Sequence, residues 1–62
     1  MDDLTFVTDI LKRFGIIIYT GNRYDDIILI EMEIEDLYQW KMISDEEYIK
    51  ARTILRREFN SR

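Results

Sequence analysis

The chain is organised around residues 15–23, Gly-Ile-Ile-Ile-Tyr-Thr-Gly-Asn-Arg, which contain both of its glycines. This stretch separates one helical pattern on its N-terminal side from two on its C-terminal side. A flexible linker would be polar and rich in small residues, whereas residues 16–19 are apolar and β-branched or aromatic. We therefore expect them to lie extended and packed against the helices, with Tyr19 and Arg23 at the far end.

The pattern before this stretch predicts a helix that begins after Asp2 or Asp3. Gly15 is placed to end it, because a left-handed residue is needed just past a helix C-terminus. With Ile16 next in the chain and able to contact Leu11, the pattern is that of a Schellman motif. The apolar face of this helix has i, i+3, i+4 spacing and consists of Leu4, Val7, Ile10, Leu11 and Phe14.

Two further helices are predicted after the stretch. The second begins with Asn22 as its N-cap and runs to Lys41 or Met42. The third begins after Ser44, because Glu47 three residues later completes a capping-box pattern. The short turn between them predicts an antiparallel hairpin. Their core faces are Ile27, Ile30, Ile34, Leu37 and Tyr38 on the second helix, and Tyr48, Ala51, Leu55 and Phe59 on the third, with Ile54 at its flank.

The fold class that follows is all-α: a single three-helix domain over residues 1–62, with an extended apolar connection between the first two helices. The chain has no histidine and no cysteine. Imidazole catalysis, thiolate chemistry and zinc sites of the Cys/His type are therefore excluded. We expect a protein that is not an enzyme, with no catalytic residue, cofactor, bound metal or small-molecule substrate.

Location is predicted from the N-terminus and the hydropathy. The start Met1-Asp2-Asp3 is acidic where a secretory signal carries positive charge. No apolar run approaches the length that crosses a bilayer. The sequence thus predicts a cytoplasmic protein without a membrane partner.

Charge is unevenly distributed along the chain. The net charge is −4, yet residues 25–36 hold six acids and no base, whereas residues 50–62 hold five bases and one acid. Clusters of opposite sign on neighbouring helices usually neutralise each other. We therefore expect Glu33 or Asp36 of the second helix to pair with Arg52 or Arg56 of the third.

Several short motifs resemble the YqgQ-like family of small bacterial cytosolic proteins, over nearly the whole chain. The resemblance implies a three-helix bundle, and a single-stranded nucleic-acid role is suggested for that family. It also marks Gly15, Tyr19, Thr20, Gly21, Arg23, Asp26, Arg56 and Arg57 as positions of the family pattern. The motifs are Phe14-Gly15, Ile18-Tyr19-Thr20-Gly21-x-Arg23, Asp26-Ile27, Leu37-Tyr38, Glu47-Tyr48 and Ile54-Leu55-Arg56-Arg57-Glu58.

One candidate binding site combines an aromatic ring with cations. Tyr19 could stack on an unpaired base, and planar arginine cations could bind phosphates. The same arginines are explained without any ligand as partners of acids or of helix C-termini. The candidate binding residues are Tyr19, Thr20, Gly21, Arg23, Arg52, Arg56 and Arg57.

A second candidate site is a stripe on the second helix, formed by Leu29, Met32 and Trp40, away from the core face. Other elements either cover this stripe or leave it exposed, and the sequence does not decide between the two. An exposed stripe of this kind would be a surface for docking a protein partner or a second copy of the chain. We expect an interaction module first and a single-stranded nucleic-acid binder as the alternative. The reason is that nucleic-acid domains normally show a basic footprint, whereas this chain has a net charge of −4.

Overall fold

The computed structural model describes residues 4–61, and within them it contains three helices and no strand. The helices are α1 (Leu4–Lys12), α2 (Arg23–Gln39) and α3 (Asp45–Asn60). Contacts near the start of α2 reach the end of α3, as between Arg23 and Glu58, so the two helices are antiparallel. The predicted all-α three-helix bundle is confirmed, and residues 1–3, where the start of the first helix was predicted, lie outside the described part of the chain.

The core lies between the predicted faces of the three helices. On α3 the prediction is wrong in two places. Ile54 is buried to 1% exposure rather than lying at the flank, and Phe59 is 42% exposed with its ring edge-on to Tyr24. Compared with the prediction, α3 is therefore rotated about its own axis, which turns Ile54 toward the core and Phe59 away from it. The buried residues are Val7, Ile10, Leu11, Ile27, Ile30, Ile34, Ile43, Ala51, Ile54 and Leu55.

The end of α1 is the predicted Schellman motif. Gly15 has a φ of 74°, and its N–H donates to the carbonyl of Lys12 at 3.0 Å. The N–H of Ile16 donates to the carbonyl of Leu11, also at 3.0 Å. These are the two hydrogen bonds that define the motif.

The end of α2 differs from the prediction. The helix stops at Gln39 with Trp40 as its C-cap, rather than running to Lys41 or Met42. Lys41 has a φ of 60°, and the N–H of Met42 donates to the carbonyl of Leu37 at 2.8 Å. This is a second Schellman motif, in which a lysine takes the place usually held by glycine.

Both predicted N-caps are confirmed. The Asn22 side chain accepts a hydrogen bond from the N–H of Asp25 at 3.0 Å. At α3, the N–H of Glu47 donates to the Ser44 hydroxyl at 3.1 Å, and the N–H of Ser44 donates to a carboxylate oxygen of Glu47 at 3.0 Å. The capping box fixes where α3 begins, and thereby the turn that follows Trp40.

Candidate functional site

The stripe formed by Leu29, Met32 and Trp40 on α2 is exposed. Of the two alternatives that the sequence leaves open, the one in which other elements cover the stripe is therefore wrong. The exposed fraction is 39% for Leu29, 58% for Met32 and 77% for Trp40. The stripe lies on the side of α2 opposite Ile27, Ile30 and Ile34, because α-helical spacing places the two sets half a turn apart. It leaves the only tryptophan of the chain in water.

Three acids accompany these side chains. Asp25 and Asp36 fall on the same side of α2, and Glu33 lies at its border. Within residues 4–61, none of the three carboxylates accepts a hydrogen bond or forms an ion pair. We call this surface the α2 outer face; it consists of Asp25, Leu29, Met32, Glu33, Asp36 and Trp40.

The acids on the other flank of α2 are paired. Arg52 of α3 donates to Glu35 at 2.6 Å and lies 3.9 Å from Glu31. The expected pairing across the hairpin is thus present, but Glu33 and Asp36 are not the partners. Glu31 and Glu35 follow the buried Ile30 and Ile34 by one position, which turns their side chains toward α3.

A pair of stacked tyrosines adjoins this ion pair. The rings of Tyr38 and Tyr48 are parallel within 4°, with centroids 3.8 Å apart. The Tyr48 hydroxyl donates to Glu35 at 2.7 Å, and the Tyr38 hydroxyl donates to Asp45 at 2.8 Å. The hydrogen bond to Asp45 raises the pKa of Tyr38, since it stabilises the protonated phenol. The sequence pattern places both tyrosines on core faces and does not indicate their stacking, although the short hairpin turn brings them to one end of α2 and α3.

Residues 16–19, here the 16–19 segment, connect α1 to the cap of α2. Ile16 and Ile18 are half-buried against the core. Ile17 and Tyr19 are 81% and 85% exposed. Such alternation is typical of an extended chain, so the predicted packing is confirmed for one side of the segment only.

Thr20 and Gly21 shape the backbone before α2. The N–H and the hydroxyl of Thr20 donate to one carboxylate oxygen of Asp26, at 2.7 and 2.6 Å. Gly21 has a φ of 90°, a conformation that residues with a Cβ rarely adopt. These two candidate binding residues, and Asp26, therefore have structural roles that need no ligand.

Three of the four candidate arginines, Arg23, Arg56 and Arg57, lie toward one end of the bundle, whereas Arg52 lies farther along α3, beside Glu35. Arg23 forms an ion pair with Glu58 of α3 and therefore lies beside the end of that helix. The Arg23 cation is therefore occupied by Glu58, and the Arg52 cation is occupied by Glu35. Arg56 and Arg57 are exposed. Arg56 lines a cleft of about 170 Å³ between α2 and α3, together with Ile28 and Phe59.

In residues 4–61, no cluster of three or more carboxylates is arranged to hold a metal ion. Within residues 4–61, no helix is both long enough and apolar enough to cross a bilayer.

Three short helices around one small core place the chain among the three-helix bundles. The model of the YqgQ-like family matches residues 1–61. The chain is also 38% identical over 52 residues to "Uncharacterized protein YqgQ" of Bacillus subtilis (strain 168), a match that spans 84% of this chain and 73% of that protein. The chain therefore belongs to the YqgQ-like family. No solved structure matches it.

Proposed function

We propose that this protein is a non-enzymatic, cytoplasmic docking module, and that it binds a protein partner through the α2 outer face. The observation that carries the proposal is the exposure of Trp40, at 77%, in line with Met32 and Leu29. Trp is among the residues most enriched in the energetic centres of protein interfaces. Its exposure offers apolar area that a partner would remove from water.

The charges of the face favour one kind of partner. Asp25, Glu33 and Asp36 surround the apolar side chains and have no cation of their own within the described residues. A partner with basic residues around an apolar stripe would complement both features. The proposed occupant is therefore a basic amphipathic helix, which places apolar residues at i, i+3 and i+7 against α2.

A second copy of the chain suits this face poorly. Two α2 outer faces would bring six unpaired carboxylates together, on molecules that each carry a net charge of −4. Nucleic acid is likewise disfavoured by the acidic charge, and the Arg23 and Arg52 cations already bind carboxylates. Tyr19 and Arg56 are the residues that sustain the nucleic-acid alternative.

The fluorescence of Trp40 tests the proposal without a label. The probe is a synthetic 18-residue helical peptide with leucines on one face and lysines along its flanks. We expect its addition to shift the Trp40 emission to shorter wavelength and to saturate, because docking removes the indole from water. Higher salt should weaken the binding, since the flanking charges are exposed.

Two variants with matched chemistry locate the binding surface. Met32→Lys should weaken binding about tenfold or more, because a charge is desolvated in the interface. Ile49→Lys is the control, since Ile49 lies on α3 and is 62% exposed, close to the 58% of Met32. Equal binding by both variants would refute the α2 outer face. A counterpart peptide with glutamates in place of lysines should not bind; if it binds equally, the charge argument is wrong.

A further inference from the structure

The backbone of the 16–19 segment has unused hydrogen-bonding groups. Within residues 4–61, the N–H and C=O groups of Ile17, Ile18 and Tyr19 form no hydrogen bond to the protein. The residues on either side are fixed: Ile16 N–H donates to Leu11, and Thr20 N–H donates to Asp26. Three consecutive residues of high β-propensity are thus held between two anchored ends.

The two anchors define which edge of the segment is free. In an extended chain, the N–H groups of alternate residues point to the same edge. Ile16 and Thr20 share one edge, and both of their N–H groups bond to this chain, at 3.0 and 2.7 Å. Ile17 and Tyr19 share the opposite edge, and their side chains are the two most exposed large apolar groups of the described residues.

We propose that this free edge pairs with the same edge of a second copy of the chain, as a short antiparallel β-ribbon. Two-fold symmetry places Ile18 opposite the partner subunit's Ile18, and Ile17 opposite the partner subunit's Tyr19. The N–H and C=O groups of Ile17 and Tyr19 then form four hydrogen bonds between the two copies. A slip by one residue would turn the other edge of one copy toward its partner and would need the N–H group of Ile16 or of Thr20, both of which are already occupied.

The charge pattern favours a second copy at this edge. Residues 14–22 are the longest uncharged run of the sequence, so two such segments meet without direct repulsion, unlike two α2 outer faces. The register also places a β-branched residue opposite an aromatic one, a favourable cross-strand pair. The anchors at Ile16 and Thr20 reduce the ordering that pairing requires.

The ribbon is short, and this sets the strength of the dimer. Two strands of this length give only marginal stability by themselves, so we expect a dissociation constant of roughly 10 µM to 1 mM. A symmetric dimer would carry two α2 outer faces. Dimerisation would thereby increase the avidity for a partner with two basic helices.

Sedimentation equilibrium of the full chain from ~10 µM to ~1 mM tests the pairing. The apparent mass should rise from that of a monomer toward twice that value. In a mixture of 13C-labelled and unlabelled chains, an isotope-filtered nuclear Overhauser effect should join the Hα atoms of Ile18 from two copies, which lie close together in a non-hydrogen-bonded antiparallel pair. A monomer throughout, or a dimer without this contact, overturns the proposal.

Two chemically synthesised chains with single amide-to-ester replacements separate the two edges. An ester at Tyr19 removes an N–H of the free edge and should weaken the dimer at least about tenfold, because two of the four hydrogen bonds are lost. An ester at Ile18 keeps both N–H groups of the free edge and only weakens the Ile17 carbonyl as an acceptor, so it should weaken the dimer less than the ester at Tyr19 does. Ile17→Lys should also weaken the dimer, whereas Trp40→Lys should not. Equal effects of both esters would contradict the proposed edge, independently of whether the α2 outer face binds a partner.

Discussion

Glycine at position 41 is expected to make the protein more stable than alanine there, because Lys41 closes α2 in a backbone conformation that glycine adopts more readily. Its φ is 60°. Its own N–H and that of the next residue complete the helix with two hydrogen bonds, at 3.0 and 2.8 Å. The geometry matches the end of α1, where the equivalent residue is Gly15.

The magnitude follows from two opposing terms. The left-handed conformation costs a residue with a Cβ roughly 1–2 kcal/mol. Glycine loses more conformational freedom on folding, which offsets about 0.5–1 kcal/mol of that gain. The expected net stabilisation is about 0.5–1 kcal/mol. Lys41 also places a cation near the C-terminus of α2, worth ~0.3–1 kcal/mol, so Lys41→Ala is the proper reference.

Urea unfolding of Lys41→Gly and Lys41→Ala isolates the backbone effect, since both variants lack the charge. At unchanged m-value the glycine variant should have the higher midpoint, and its Tm should exceed that of the alanine variant by roughly 2–8 °C. Gly15→Ala should act in the opposite sense and cost about 1 kcal/mol or more. Gly15 has a φ of 74°, and a Cβ added there would meet no atom within 4 Å, so the strain in the alanine variant would be purely conformational. Identical midpoints for Lys41→Gly and Lys41→Ala would refute this reasoning.

Ser44→Ala should lower the free energy of unfolding by ~1 kcal/mol, because the cap of α3 loses the acceptor for the Glu47 N–H; an unchanged urea midpoint would contradict this. The hydrogen bond from the Ser44 N–H lowers the pKa of Glu47, so its stabilising effect is present above the ordinary pKa and is lost as the pH falls through the lowered one. Glu47→Gln should therefore lose less stability in acid than the wild type when urea midpoints are compared against pH, and parallel curves would speak against it. A labelled single-stranded oligonucleotide should not bind at physiological salt. Micromolar, salt-sensitive binding that is abolished by changing Arg56 and Arg57 together, and that Tyr19→Ala weakens by ~1–3 kcal/mol, would instead favour the nucleic-acid alternative.

Helix boundaries could be predicted where a few neighbouring residues determine them. The Gly15 stop and the Ser44 capping box depend on residues within five positions of each other, and both were predictable. The end of α2 was not, because a left-handed lysine has no sequence signature. Lys41 adopts that conformation only because the hairpin must turn before the cap at Ser44.

Contacts between helices were less predictable, since they depend on the rotation of each helix about its axis. A pairing of α2 acids with Arg52 followed from charge alone. The choice of Glu35 over Glu33 depends on that rotation, as does the burial of Ile54. For the same reason the sequence left the exposure of Trp40 undecided, although it did identify the stripe.

Amide chemical-shift mapping of the 15N-labelled protein, with the basic amphipathic peptide added, tests the docking proposal most directly. The account predicts that the largest shift changes occur at Leu29, Met32, Asp36 and Trp40 on the α2 outer face. Little change is expected at Arg56 and Arg57. Shift changes concentrated at those two arginines, or none at a saturating peptide concentration, would contradict it.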